Sequence, residues 1–91
     1  MFTLITPASF LRRARKFFRK RQDLKPTFAA VVDDLIKDPF QPHLHLHPLH
    51  GKLEGLYAVS LTYSYRIILI LKITEKEIIL LDIGSHDEMY R

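Results

Sequence analysis

The sequence predicts a two-layer α+β domain, a helical hairpin packed on one face of a mainly antiparallel sheet, in the order β-α-α-β-β-β. Two observations carry this. The apolar residues recur with a period near four up to Asp38, and with a period of two after Pro42. The chain also has 91 residues, 47% of them hydrophobic and 26% charged, which suits one modest core and a single domain over residues 1–91.

Phe2 to Ile5 is a short apolar run that suits a strand. Thr6-Pro7 reads as a helix start, with threonine as the cap and proline in the first turn. Phe10, Leu11, Ala14, Phe17 and Phe18 follow at helical spacing, and cationic residues fill the other positions. Gln22-Asp23 interrupts the run, with Asp23 as a cap. A second helix then spans about Leu24 to Lys37, its apolar face made by Leu24, Phe28, Val31, Val32, Leu35 and Ile36, with Asp33 and Asp34 pointing away. Asp38-Pro39 ends it, because proline lacks the amide proton and disfavours helical geometry in the residue before it. The short link between the helices implies an antiparallel hairpin.

His43, His45 and His47 alternate with Leu44 and Leu46, so an extended backbone would put the three imidazoles on one side. Gly51 and Gly55 bracket a turn. Leu56 to Thr62 reads as a strand, Tyr63 to Tyr65 as a turn, Arg66 to Ile73 as a second strand, and Lys76 to Ile83 as a third after a tight turn at Thr74-Glu75. In the second of these, Arg66, Ile68, Ile70 and Lys72 share one face, and Ile67, Leu69, Leu71 and Ile73 the other. The wholly apolar face takes the helices, which leaves the Arg66 face partly open. Hairpin geometry places Arg66 opposite the region Asp82 to Gly84, with His86 just beyond, and sets Ser60 and Thr62 across from Ile68 and Arg66.

Charge narrows the choice of partner. The net charge is +4, and Arg12, Arg13, Arg15, Lys16, Arg19, Lys20 and Arg21 fall in one window with no carboxylate. Such a block points to a polyanionic or acidic partner. The chain has no cysteine, which excludes a disulfide framework and a thiolate metal site and fits a cytoplasmic protein. The run Ile67 to Leu71 is too short to span a membrane, and MFTLITPASF lacks the pattern of a secretion signal.

Arginine and histidines in one cleft suit RNA cleavage, because RNA carries its own nucleophile, the 2′-hydroxyl. A base takes that proton, an acid protonates the 5′-oxygen, and a cation steadies the charged phosphorane. Histidine serves as either acid or base near neutral pH, and arginine grips phosphate oxygens in two-pronged fashion. Tyr65 and Tyr90 suit base stacking or proton donation. The His-x-His-x-His run would also suit zinc or nickel, but no carboxylate or cysteine lies close by to complete a site. Arg66 could instead pair with Asp82 or Glu88, a purely structural role.

HPLHGKLEGLYAVSLTYSYRIILILKI followed by LLDIGSHDEMY resembles the RelE/ParE superfamily of bacterial toxins, and its YafQ-like branch most closely. The resemblance covers nearly the whole chain. It implies the toxin of a type II toxin–antitoxin system: a cofactor-free, metal-independent mRNA endoribonuclease acting on ribosome-bound mRNA. It also implies a cognate antitoxin that inhibits the toxin, with operator DNA bound only through their complex. By position, His47, His86, Arg66 and Tyr90 match family site residues, and His50 is a further candidate for proton transfer. Arg12, Arg13, Arg15, Lys16, Arg19, Lys20 and Arg21 would hold rRNA phosphates, with Tyr65 against a base. The chain departs from the family pattern at Ala58, Ser60, Ser64 and Asp82, so the identity of the general base stays open. The alternatives are a ParE-like inhibitor of DNA gyrase, or a catalytically weak member of the same fold kept for antitoxin binding.

Overall fold

The computed structural model describes residues 1–89. Strand β1 (Thr3–Ile5) leads into helix α1 (Ala8–Lys20), a 3-10 turn (Gln22–Leu24) and helix α2 (Lys25–Lys37). A 3-10 turn (Pro42–Leu44), the two-residue strand β2 (His47–Pro48) and another 3-10 turn (Gly51–Leu53) follow. Strands β3 (Tyr57–Ser60), β4 (Tyr65–Lys72) and β5 (Glu77–Ser85) complete the sheet, and the short helix α3 (His86–Met89) follows. The sheet has five strands in the order β1-β5-β4-β3-β2. Strand β1 lies parallel to β5 at one edge, and the other neighbours are antiparallel. The predicted α+β class and the order of the main elements hold, with β2 and α3 added. No helix among the described residues is long and apolar enough to cross a membrane.

The core forms where α1 and α2 cover one sheet face. Phe10, Ala14, Val31 and Leu35 meet Val59, Ile67, Leu69, Ile78, Leu80 and Ile83. Phe28 of α2 packs its ring against both Phe10 and Phe18 of α1, at centroid separations of 6.2 and 5.3 Å. On the opposite face Ile68 and Ala58 are capped by Leu49, which packs with Leu53 and Leu56 of the loop after β2. Alternation along β4 therefore places Arg66 with Ile68, on the face away from the helices.

Several local expectations fail for identifiable reasons. Thr6 does not cap α1; Pro7 holds the cap position, with no side-chain hydrogen bond. Asp23 does not cap α2 either, because its carboxylate is taken by Arg21. Asp34 is not fully turned out: its Oδ2 lies 2.8 Å from His43 Nε2. The turn between β3 and β4 centres on Tyr63 instead of Ser64, since Tyr65 already belongs to β4. Ser60 therefore opposes Arg66, and Ala58 opposes Ile68. That two-residue shift in pairing keeps every side chain on its expected face.

Strand β5 contains an extra residue. Ile68 pairs with Asp82, and Leu69 with Leu80, so Leu81 has no partner across the ladder. Without this bulge the alternation Ile78, Leu80 would continue inward to Asp82; with it, Ile83 takes the buried position.

At the Thr74-Glu75 turn, Lys76 N donates to the Ile73 carbonyl, as the spacing predicts. Gly51 and Gly55 have φ of 68° and 91°. A Cβ at Gly55 would touch nothing within 4 Å, so its substitution tests the backbone alone. Gly55→Ala is expected to lower unfolding free energy by about 1–2 kcal/mol in urea denaturation. An unchanged midpoint would mean that the loop relaxes to negative φ at no cost.

Candidate functional site

The sheet face away from the helices brings His45 and His47 to the side of Arg66. His47 pairs with Ala58 across β2 and β3. Continuing that register by two residues brings His45 to Ser60, and His45 Nδ1 lies 3.3 Å from Ser60 Oγ. Ser60 opposes Arg66, and Arg66 opposes Gly84. One row across the sheet thus reads His45, Ser60, Arg66, Gly84, with His47 in the adjacent row. Arg66 is half-buried, and the ion pairs among the described residues do not involve it. The structural role of pairing with Asp82 or Glu88 is thus not taken up.

The three histidines do not share one side as the alternation suggested. His43 sits in a 3-10 turn and binds Asp34. His45 has φ of 52°, in the left-handed region, which breaks the extended run. Only His47 lies in a strand. Its Nδ1 is 2.8 Å from the His45 carbonyl. A carbonyl only accepts, so Nδ1 carries the proton, and in the neutral ring Nε2 holds the lone pair. His50 is exposed on the loop before Gly51. Among the described residues, no three His, Asp or Glu side chains converge to hold a metal ion.

His86 opens α3, two residues beyond Gly84. A capping box sets this helix: Glu88 N donates to Ser85 Oγ and Ser85 N donates to Glu88 Oε1, both at 3.2 Å. The S-x-x-E signature of this cap was legible in the sequence and missed. Tyr90, the remaining site residue, lies outside the described residues.

The cationic helix is less uniform than its sequence implies. Arg21 makes two hydrogen bonds to Asp23, at 2.9 and 3.1 Å, and a third to the Tyr65 hydroxyl at 2.8 Å. The Arg21 hydrogen bonds hold the Asp23 carboxyl below its usual pKa, so the pair stays ionised and Arg21 is internally balanced. Tyr65 is engaged too: the Phe17 ring meets it edge-on at 5.1 Å, and the Arg21 guanidinium lies 5.1 Å from its ring centre. Tyr65 is thus held by packing and a hydrogen bond, whereas Tyr63 at the hairpin tip is fully exposed. Arg13 donates to the carbonyl of the bulged Leu81 at 3.0 Å and approaches Asp82 at 4.0 Å, so it secures the bulge. Arg12, Arg15, Lys16 and Arg19 are exposed at helical spacing and form one open stripe, with Lys20 beside it. A cleft of about 450 Å³ between α1 and the end of β5 is mixed in charge, with Lys16 and Lys20 facing Asp82 and Glu88. A second groove, of about 510 Å³ between the helices and β1, has Phe10, Phe18 and Phe28 in its floor and Arg15, Arg19 and Lys25 at its rim.

A scan against protein-family models finds no match, and no curated protein matches the chain. Solved structures do. YafQ from Escherichia coli is 16% identical, with a TM-score of 0.80 over 100% of both chains. A metal-bound toxin from Helicobacter pylori is 28% identical, with a TM-score of 0.78 over 98% of this chain and 99% of that one. A chain of the toxin–antitoxin complex RelBE from Mycobacterium tuberculosis is 21% identical, with a TM-score of 0.65 over 93% of this chain and 98% of that one. The fold is that of the RelE/ParE superfamily, in its YafQ-like form. Within the RelE/ParE fold of this chain, the sheet face opposite the helices is the one that carries Arg66, His45 and His47.

Proposed function

We propose that this protein is the toxin of a type II toxin–antitoxin system and cleaves ribosome-bound mRNA as an endoribonuclease. The observation that carries this reading is the row His45, Ser60, Arg66, Gly84, set beside His47 and leading toward His86, on a fold shared over its full length with toxins. In this reading Arg66 grips the scissile phosphate. A histidine base removes the 2′-hydroxyl proton, the 2′-oxygen attacks phosphorus, and the bond to the 5′-oxygen breaks. His86 protonates that departing oxygen, and the product end is a 2′,3′-cyclic phosphate. His47 suits a proton-transfer role better than His50, because its Nδ1–H is already committed to a carbonyl. Tyr90 positions a base in this reading, and Arg12, Arg15, Lys16, Arg19 and Lys20 meet rRNA phosphates.

The cognate antitoxin would present an amphipathic acidic segment. The groove between the helices, with an aromatic floor and a cationic rim, suits such a segment. The protein acts in the cytoplasm in this scheme, where ribosomes are.

The test is mRNA cleavage during translation by the purified protein, mapped by primer extension. His86→Ala is expected to cut at least about 100-fold more slowly while keeping its circular dichroism. Growth arrest without any cut by the wild-type protein would sink the ribonuclease reading and favour a gyrase-directed toxin.

A further inference from the structure

Resting on the ribonuclease reading, we propose that His45 is a catalytic proton-transfer residue, with Ser60 as the positioning residue that selects its basic nitrogen. In the sequence His45 is one of three alternating histidines with nothing to set it apart, and three features of the fold single it out.

The first is its backbone. His45 closes the 3-10 turn Pro42–Leu44 through its own amide, 3.2 Å from the Pro42 carbonyl, and takes φ of 52° to do so. A residue with a Cβ is uncommon in this region and strained there. The exposed His45 ring does not offset that strain by burial. Backbone strain held under such conditions is characteristic of sites that aim a side chain.

The second is the anchoring of the His45 peptide. His47 Nδ1–H donates to the His45 carbonyl at 2.8 Å, so the strand residue clamps the strained one. The third is where the ring goes. His45 Nδ1 reaches Ser60 Oγ at 3.3 Å, and Ser60 stands directly across β3 and β4 from Arg66. Adjacent strands lie about 4.8 Å apart, so His45 and Arg66 flank Ser60 in one row. Gly84, on the far side of Arg66, contributes no side chain. His47 lies in the next row, beside Ala58 and Ile68.

The chemistry follows from this placement. When Nδ1–H of His45 donates to Ser60 Oγ, Nε2 carries the lone pair. Nε2 takes the proton of the 2′-hydroxyl as the 2′-oxygen forms its bond to phosphorus. The bond from phosphorus to the 5′-oxygen breaks, and that oxygen receives a proton from His86. Arg66 holds the non-bridging oxygens throughout. One proton enters His45 and one leaves His86, and no cofactor or co-reactant is consumed.

The experiment combines single-turnover cleavage of ribosome-bound mRNA with nitrogen-15 NMR of histidine-labelled full-length protein. His45→Ala is expected to slow cleavage about 10²–10⁴-fold with folding intact by circular dichroism. His43→Ala, two residues away and tied to Asp34, should cleave as the wild type does. In the wild type the His45 shifts should report a proton on Nδ1, and Ser60→Ala should shift the tautomer toward Nε2–H and slow cleavage. A folded His45→Ala protein that cleaves at the wild-type rate would overturn the proposal, as would an Nε2–H tautomer in the wild type. Wild-type protein that cuts no mRNA would overturn this proposal and the ribonuclease reading together; normal cutting by His45→Ala would overturn this one alone.

Discussion

Arg66→Ala is expected to lower mRNA cleavage by about 10²–10³-fold, the effect of losing one preorganised charge-stabilising group at a reacting centre. The size follows from its setting. Arg66 is half-buried on a rigid central strand, between Ser60 and Gly84, and none of the ion pairs among the described residues spends its charge. With no ion pair to break among the described residues, the guanidinium can turn its charge on the phosphate oxygens as negative charge builds there. Arg66→Lys should recover only part of the rate, since an ammonium keeps the charge but loses the planar fork. Single-turnover rates on stalled ribosome complexes measure both variants, with circular dichroism to establish folding. Wild-type cleavage by folded Arg66→Ala protein would remove Arg66 from the chemistry. Full growth arrest by that variant, with no cleavage, would point to a protein target such as gyrase.

The second large effect concerns stability. Phe10 is 1% exposed at the centre of the layer between α1 and the sheet, and it stacks on Phe28 of α2. Phe10→Ala removes a ring that joins both helices to β-strand residues, and the surrounding side chains cannot close the space completely. The expected loss is about 3–5 kcal/mol. For a domain of this size that lowers Tm by roughly 12–40 °C, against a total stability of about 5–15 kcal/mol. Leu11→Ala, one residue on but 43% exposed, should cost less than about 1 kcal/mol. Urea denaturation measures both. A Phe10→Ala loss below about 1.5 kcal/mol would mean that α1 repacks on the sheet, contrary to the docking described.

The two predictions rest on opposite faces of the same sheet, and the two faces differ in how far they could be read in advance. The helix-covered face was legible because Ile67, Leu69 and the α1 positions Phe10 and Ala14 repeat at periods that any helix or strand must obey. The open face was legible at Arg66, whose side follows from the same alternation. So were Ser60 and Gly84, which hairpin geometry set near Arg66; the placement of the histidines was not. His43 and His45 alternate with leucines just as His47 does, yet a 3-10 turn and a left-handed residue send their rings to Asp34 and Ser60.

What the amino-acid order determined by itself is the two long helices and the main strands, their succession, and the side of the sheet taken by the alternating residues of β4. These depend on backbone periodicity, proline stops and turn residues, all of which act within a few positions. Tertiary structure alone decided which charges and rings remain available. Arg13 meets a carbonyl 68 positions away, and Arg21 meets Tyr65 44 positions away. The bulge at Leu81 turns β5 so that Ile83, and not Asp82, completes the core. None of these contacts carries a local signal, because each depends on strand register and helix docking. Those are set jointly by the whole core, and so the open row around Arg66 emerges only once the chain is folded.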